Sequence, residues 1–98
     1  MFPITKELSM SITRINYFEA KVGAEQQLYE FLQSVIAVIK ECSGCLGCQL
    51  LRNTESAGSI VIIEQWDSVE SHQKAANEIP KEKLKEAFAL FAKPPSGT

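Results

Sequence analysis

Cys42, Cys45 and Cys48 stand at three-residue spacing, C-x2-C-x2-C, the opening of an iron–sulfur ligand run. The whole chain has three cysteines, so the fourth ligand of such a run is missing. A structural zinc site also needs a fourth ligand, and the single histidine, His72, falls on a different expected element. If Cys45 opens a strand, Cys45 and Cys48 point to opposite faces, because strand side chains alternate. These residues therefore read as buried reduced thiols, and no metal is expected. His72 follows Val69 by three positions and precedes Ala75, Ala76 and Ile79 by three, four and seven. That spacing turns it inward on a helix, either as a hydrogen-bonded core or interface histidine or as a general base titrating near neutral pH.

The elements that must position these groups follow from periodicity. Ser11 to Ala20 is rich in Ile, Thr, Tyr and Phe and reads as a first strand, with Ile12, Arg14, Asn16 and Phe18 on one face. Leu28, Phe31, Leu32, Val35, Ile36 and Ile39 recur at three- and four-residue spacing and predict a long amphipathic helix from Ala24 to Glu41. Ser43-Gly44 breaks it. Cys45 to Asn53 and Ser59 to Trp66 read as a hairpin around Thr54-Glu55-Ser56-Ala57-Gly58. Ile60-Val61-Ile62-Ile63 is apolar on both faces, the pattern of a strand in the middle of a sheet. Asp67 with Glu70 three residues on predicts an N-cap and a short helix from about Ser68 to Glu78. Leu84, Ala87, Phe88 and Phe91 predict another apolar stripe up to Lys93, stopped by Pro94-Pro95.

The order β-α-β-β-α is the split βαβ of an α+β, ferredoxin-like fold, with helices on one face of an antiparallel sheet. A fourth strand should follow, and only a short one fits. An unpaired edge and an apolar sheet face with no helix to cover it both predict a homodimer pairing sheet against sheet.

Ninety-eight residues, 45% hydrophobic and 22% charged, describe one small domain, expected over residues 11 to 98 with residues 1 to 10 as a loose extension. Ten Lys and Arg against twelve Asp and Glu lack the basic excess of a nucleic-acid binder. No apolar run approaches the roughly 20 residues of a membrane span, and the N-terminus lacks the apolar core of a secretory signal. No nucleic-acid or membrane partner is expected, and a cytoplasmic location is.

Gly44-Cys45-Leu46-Gly47-Cys48-Gln49-Leu50, then Ile62-Ile63-Glu64-Gln65-Trp66-Asp67-Ser68 and Glu70-Ser71-His72-Gln73, together resemble the antibiotic biosynthesis monooxygenase domain over roughly residues 11 to 95. The resemblance implies a ferredoxin-like homodimer, a dimeric α/β barrel. It also implies one of several activities: cofactor-independent oxygenation of phenolic polyketides, quinol oxygenation, haem degradation or an isomerase-like reaction. It places Asn16 in the pocket and Trp66 at the end of the central strand. His72 matches the first histidine of the family's H-x-x-H stretch, whose second position is Ala75 here. The haem-degrading branch would need a tryptophan near Ala75 and a histidine near Lys85, so haem is not the expected substrate.

The activity implied is a monooxygenase without a cofactor, oxidising a small aromatic substrate (a quinol, anthrone or polyketide-like phenol) with dioxygen. An oxygenase of this kind must hold the phenol in a dry cavity and stabilise its anion. Asn16 would donate an amide N–H to the oxyanion, Trp66 an indole N–H and a flat wall, and His72 would act as base. Arg14 would complement a substrate anion and Phe18 would line the cavity. Each has a plainer reading: Asn16 as a satisfied strand residue, Trp66 as a core anchor, Arg14 in an interface salt bridge. The alternative function is a non-catalytic dimeric barrel that binds a small molecule or supports another protein.

Overall fold

The computed structural model describes residues 11–97. The segment 1–10, expected as a loose extension, lies outside the described residues. The order is β1 (Ile12–Glu19), α1 (Glu25–Glu41), β2 (Cys45–Arg52), β3 (Ser59–Trp66), α2 (Val69–Ala76), α3 (Lys81–Phe88) and β4 (Ser96–Gly97). The strands form one antiparallel sheet in the order β2-β3-β1-β4, the ferredoxin-like arrangement.

Period-two alternation on β3 divides the sheet into two unlike faces. Ile60, Ile62, Glu64 and Trp66 are all buried, and the three apolar ones join Leu28, Leu32, Ile36 and Ile39 of α1 in one core. On the opposite face Ile15, Val61 and Ile63 are half-buried, and Tyr17 and Leu51 are about half exposed, at 47% and 48%.

The helix starts differ from the expectation. Ser68, not Asp67, caps α2: its hydroxyl accepts from the Ser71 backbone N–H at 3.1 Å. Asp67 instead accepts from the Ser71 hydroxyl at 2.6 Å and from the Ser68 hydroxyl at 3.1 Å, while its own N–H donates to the Gly44 carbonyl at 2.9 Å. This latch ties the turn after α1 to the start of the helix that carries His72. Glu70 is not the partner of the cap; the serine pair takes its place. Both short helices are shorter than their apolar stripes predict, and α3 stops at Phe88, with Leu90–Ala92 returning along the end of β1.

A bulge between Cys45 and Gly47 corrects the cysteine reading. One extra residue shifts the register, so Cys45 lies opposite Trp66 and Cys48 opposite Glu64, both on the helix-facing side. Leu46 is thrown outward, 59% exposed. The three thiols are unpaired; Cys48 is buried, and Cys42 and Cys45 are half-buried. Burial, reinforced by the nearby Glu64 carboxylate, pushes the Cys48 thiol up to about 12, which keeps it protonated and unreactive.

The fourth strand is two residues long and pairs with Asn16 and Tyr17. Between it and the Leu90–Ala92 contacts stand Pro94 and Pro95, which have no N–H to give the ladder.

Gly44 has φ +90°, and a Cβ there would collide with the Ser71 side chain and come within 2.7 Å of Asp67 Oδ1. Gly23 has the same φ class, +91°, with nothing within 4 Å. Gly23→Ala should cost only the backbone strain, about 1–2 kcal/mol, whereas Gly44→Ala should cost more because it also breaks the latch. Urea denaturation of both variants measures the difference, and equal losses would mean that the latch contributes nothing.

Candidate functional site

The antiparallel register of β1 and β3 puts Arg14 opposite Glu64 and Asn16 opposite Ile62, on the helix-facing side. Asn16 reaches diagonally to Glu64, its Nδ2 donating to Oε2 at 2.8 Å. Trp66, two residues along the same strand, donates its indole N–H to Glu64 Oε1 at 2.9 Å. His72 arrives from α2 with Nε2 at 4.0 Å from the same Oε1, its ring edge-on to Trp66 with centroids 5.7 Å apart. Arg14 Nη2 points at Asn16 Oδ1 at 3.4 Å.

The structure therefore brings Asn16, Trp66 and His72 together, and what they share is Glu64. Sequence reasoning had Glu64 only as a letter of a motif. The signal was present: in Ile60, Ile62, Glu64, Trp66 a carboxylate occupies a position of the buried stripe. At 5% exposure it is the only buried charged side chain among the described residues. Such a group is tolerated only when its lone pairs are occupied.

The cluster has a closed floor and an open side. Trp66 is fully buried, with its single N–H engaged, and the Glu64 oxygens face Asn16 and Trp66. Arg14, Asn16 and His72 are half-buried and form the open side. Phe18, farther along β1, packs its ring against Phe91 at 5.8 Å, and Phe91 meets Phe88 at 5.6 Å. Burial and the Arg14 guanidinium hold the His72 imidazole below its usual range, against a smaller opposing pull from Glu64. A neutral imidazole beside a carboxylate can accept a proton and have the resulting cation stabilised.

The hollows on the surface lie elsewhere. A groove of about 590 Å³ runs between α1 and α2 past Val38, Cys42, Lys74 and Glu78. A smaller one of about 300 Å³ lies at the β1 end near Phe18, Lys93 and Ser96. Neither is lined by Glu64 or its partners. Among the described residues no group of three or more His, Cys, Asp and Glu side chains is placed to hold a metal ion, and no helix is long and apolar enough to cross a membrane.

The profile of the antibiotic biosynthesis monooxygenase family matches residues 11–90, the span that carries this sheet and its helices. The chain belongs to the antibiotic biosynthesis monooxygenase family. Its fold is similar to that of Rv0793 from Mycobacterium tuberculosis, with 19% identity, 90% of each chain covered and a TM-score of 0.79. It is also similar to a conserved protein from Methanosarcina mazei, with 14% identity, 96% of this chain and 94% of that one covered, and a TM-score of 0.84. SnoaB, a cofactor-independent oxygenase from Streptomyces nogalater, aligns at 20% identity over 90% of each chain with a TM-score of 0.74. Comparison with curated proteins by sequence found no match.

Glu64→Gln should leave one N–H of the Asn16–Trp66 pair facing an amide N–H, a loss of about 1–3 kcal/mol in urea denaturation. An unchanged midpoint would show that the carboxylate does not hold the cluster together. His72, the only histidine of the chain, should give one titrating pair of ring C–H signals by NMR. Because its folded pKa is depressed, its contribution to stability is present above the unfolded value and is lost as pH falls through the folded one. Wild type should therefore lose more stability than His72→Gln between neutral pH and about pH 5; parallel curves would contradict the shift.

Proposed function

We propose that this protein is a monooxygenase that uses no cofactor and oxidises a small aromatic substrate (a quinol, an anthrone or a polyketide-like phenol) with dioxygen. The observation that carries the reading is the convergence of Asn16, Trp66 and His72 on the buried Glu64 carboxylate. Family membership and the likeness to SnoaB, itself a cofactor-independent oxygenase, support it.

The chemistry asks little of the protein. For an anthrone, His72 accepts a proton and leaves an enolate, and Glu64 stabilises the imidazolium. The enolate passes one electron to dioxygen, and the carbon radical and superoxide combine into a C–O bond. The peroxide anion takes back a proton from His72. Loss of the remaining C–H proton with O–O cleavage gives a carbonyl, so one oxygen atom enters the product and the other leaves as water. In this reading Trp66 and Asn16 hold Glu64 in place and Arg14 meets the substrate from the open side, whereas Phe18, expected to line the cavity, packs on Phe91 away from the cluster.

The working unit is a homodimer. Ile15, Tyr17, Leu51, Val61 and Ile63 make an apolar sheet face without a covering helix among the described residues, and a second copy would bury it. Sedimentation at micromolar concentration should give a dimer, and a monomer would remove this part of the reading.

The deciding experiment is dioxygen uptake by metal-free protein over hydroquinones and anthrones, with Asn16→Ala and His72→Ala run beside it. Uptake above autoxidation should fall about a hundredfold in His72→Ala, the range for removal of a general base, and also fall in Asn16→Ala. No enzyme-dependent uptake by an intact dimer would point to a non-catalytic barrel that binds a small molecule.

A further inference from the structure

The donors of the cluster are unequally free. The single indole N–H of Trp66 is spent on Glu64 Oε1, and the Asn16 amide nitrogen is held by Oε2. The indole N–H is therefore closed to a ligand, and the Asn16 amide keeps one N–H beyond the one given to Glu64. Arg14 is the opposite case. A guanidinium carries five N–H donors, and the hydrogen bond made by this one is the long contact from Nη2 to Asn16 Oδ1 at 3.4 Å. Its Nε is buried with no hydrogen-bond partner. Although Arg14 lies directly across the sheet from Glu64, the ion pairs among the described residues are His72–Glu64 and Lys93–Glu19, so the Arg14 charge has no carboxylate on it.

We infer that Arg14 is the anion-binding group of this site, and that the ligand it takes is an ionised phenol or enol, held by its oxyanion on the unused N–H edge of the guanidinium. The inference rests on the reading above that a small aromatic enters this cluster, and it moves the principal oxyanion contact from Trp66 to Arg14. A buried N–H without a partner costs free energy, and a bound oxyanion removes that cost while neutralising the charge. The proton leaving the hydroxyl goes to His72, so the net charge of the cluster with its ligand is the same before and after ionisation.

The C-terminal strand supports the assignment. Gly97 pairs with Asn16, and a Cβ at Gly97 would stand 2.7 Å from Asn16 Oδ1 and 3.0 Å from Arg14 Nη2. The strand crosses the Arg14–Asn16 pair at a residue with no side chain, which leaves the guanidinium room to turn toward a ligand.

The test uses two probes that dioxygen does not oxidise: para-nitrophenol, whose phenolate is read by its visible absorption, and para-nitroanisole, which cannot ionise. Wild type should bind the phenolate in preference to the ether. Arg14→Gln should weaken phenolate binding about ten- to hundredfold, the worth of a hydrogen bond to a charged group, and leave the ether unchanged. Arg14→Lys should retain part of the preference. Gly97→Ala, which keeps Arg14 but crowds it, should weaken the phenolate selectively. The inference is overturned if wild type binds neither probe, if Arg14→Gln binds the phenolate as wild type does, or if it loses both probes equally with the fold intact by circular dichroism. Selective phenolate binding without dioxygen uptake would sink the oxygenase reading and leave this one standing. Uptake undiminished in Arg14→Gln would sink this one alone.

Discussion

A carboxylate buried beneath a helix is the constraint around which this small fold is arranged. Taking Glu64 out of water costs several kcal/mol unless its oxygens are matched, and the match comes from two neutral donors, Asn16 on β1 and Trp66 on β3. The Asn16 contact depends on register. Slipping β1 by one residue would turn Asn16 and Arg14 to the other face and leave Glu64 with half its partners. The hydrophobic packing of Leu28, Ile60 and Ile62 would tolerate many sequences; the carboxylate tolerates one alignment. A buried ionised group is weak evidence for stability, since a well-packed apolar residue would often serve as well. In the proposed mechanism its task is to stabilise the imidazolium beside it.

The approach of that imidazole is set by contacts that involve no catalytic candidate. α2 begins where Ser68 caps it, and Asp67 holds Ser71 and the Gly44 carbonyl together. His72 is the next residue along. The Cys45–Gly47 bulge lies at the same end of the sheet and turns two cysteines inward against Trp66 and Glu64. Thiols at those positions fill space without bringing hydrogen-bond demands of their own. The C-x2-C-x2-C spacing is thus a packing consequence of an irregular strand start.

The strands and the long helix were legible because their patterns are strong: β3 runs from Ser59 to Trp66 as its residues predict, and α1 ends at Glu41. The elements that misled were those whose ends are decided by side-chain hydrogen bonds. Asp67 and Ser68 are equally good caps by type, and only the position of Ser71 and of the Gly44 carbonyl chooses between them. The bulge is marked in the sequence only by Gly47 at the strand start, and a glycine there fits a turn as well as a bulge, so the facing of Cys45 did not follow from residue types. Of the candidate site, Asn16, Trp66 and His72 were singled out through resemblance and helical spacing. Their common partner was visible as a charge on a buried stripe, but reading it required knowing that the stripe faces α1 and α2. That Asn16 and Trp66 each give an N–H to Glu64 is a property of distances, which residue types do not carry.

The two faces of the sheet divide the work by parity. On β1, Arg14, Asn16 and Phe18 face the helices, and Ile15 and Tyr17 between them face away. Alternation makes every second residue available to the cluster and leaves the rest for the proposed contact with a second copy, so the candidate site and the proposed interface share a backbone without sharing side chains. They are coupled all the same. The strand that borders Asn16 and Tyr17 is two residues long, and Pro94 and Pro95 interrupt the edge just before it. Whatever steadies that edge steadies β1, and through β1 it fixes Arg14 and Asn16 relative to Glu64. A sheet-to-sheet partner would act on the cluster from behind, by holding the strand whose other face carries it.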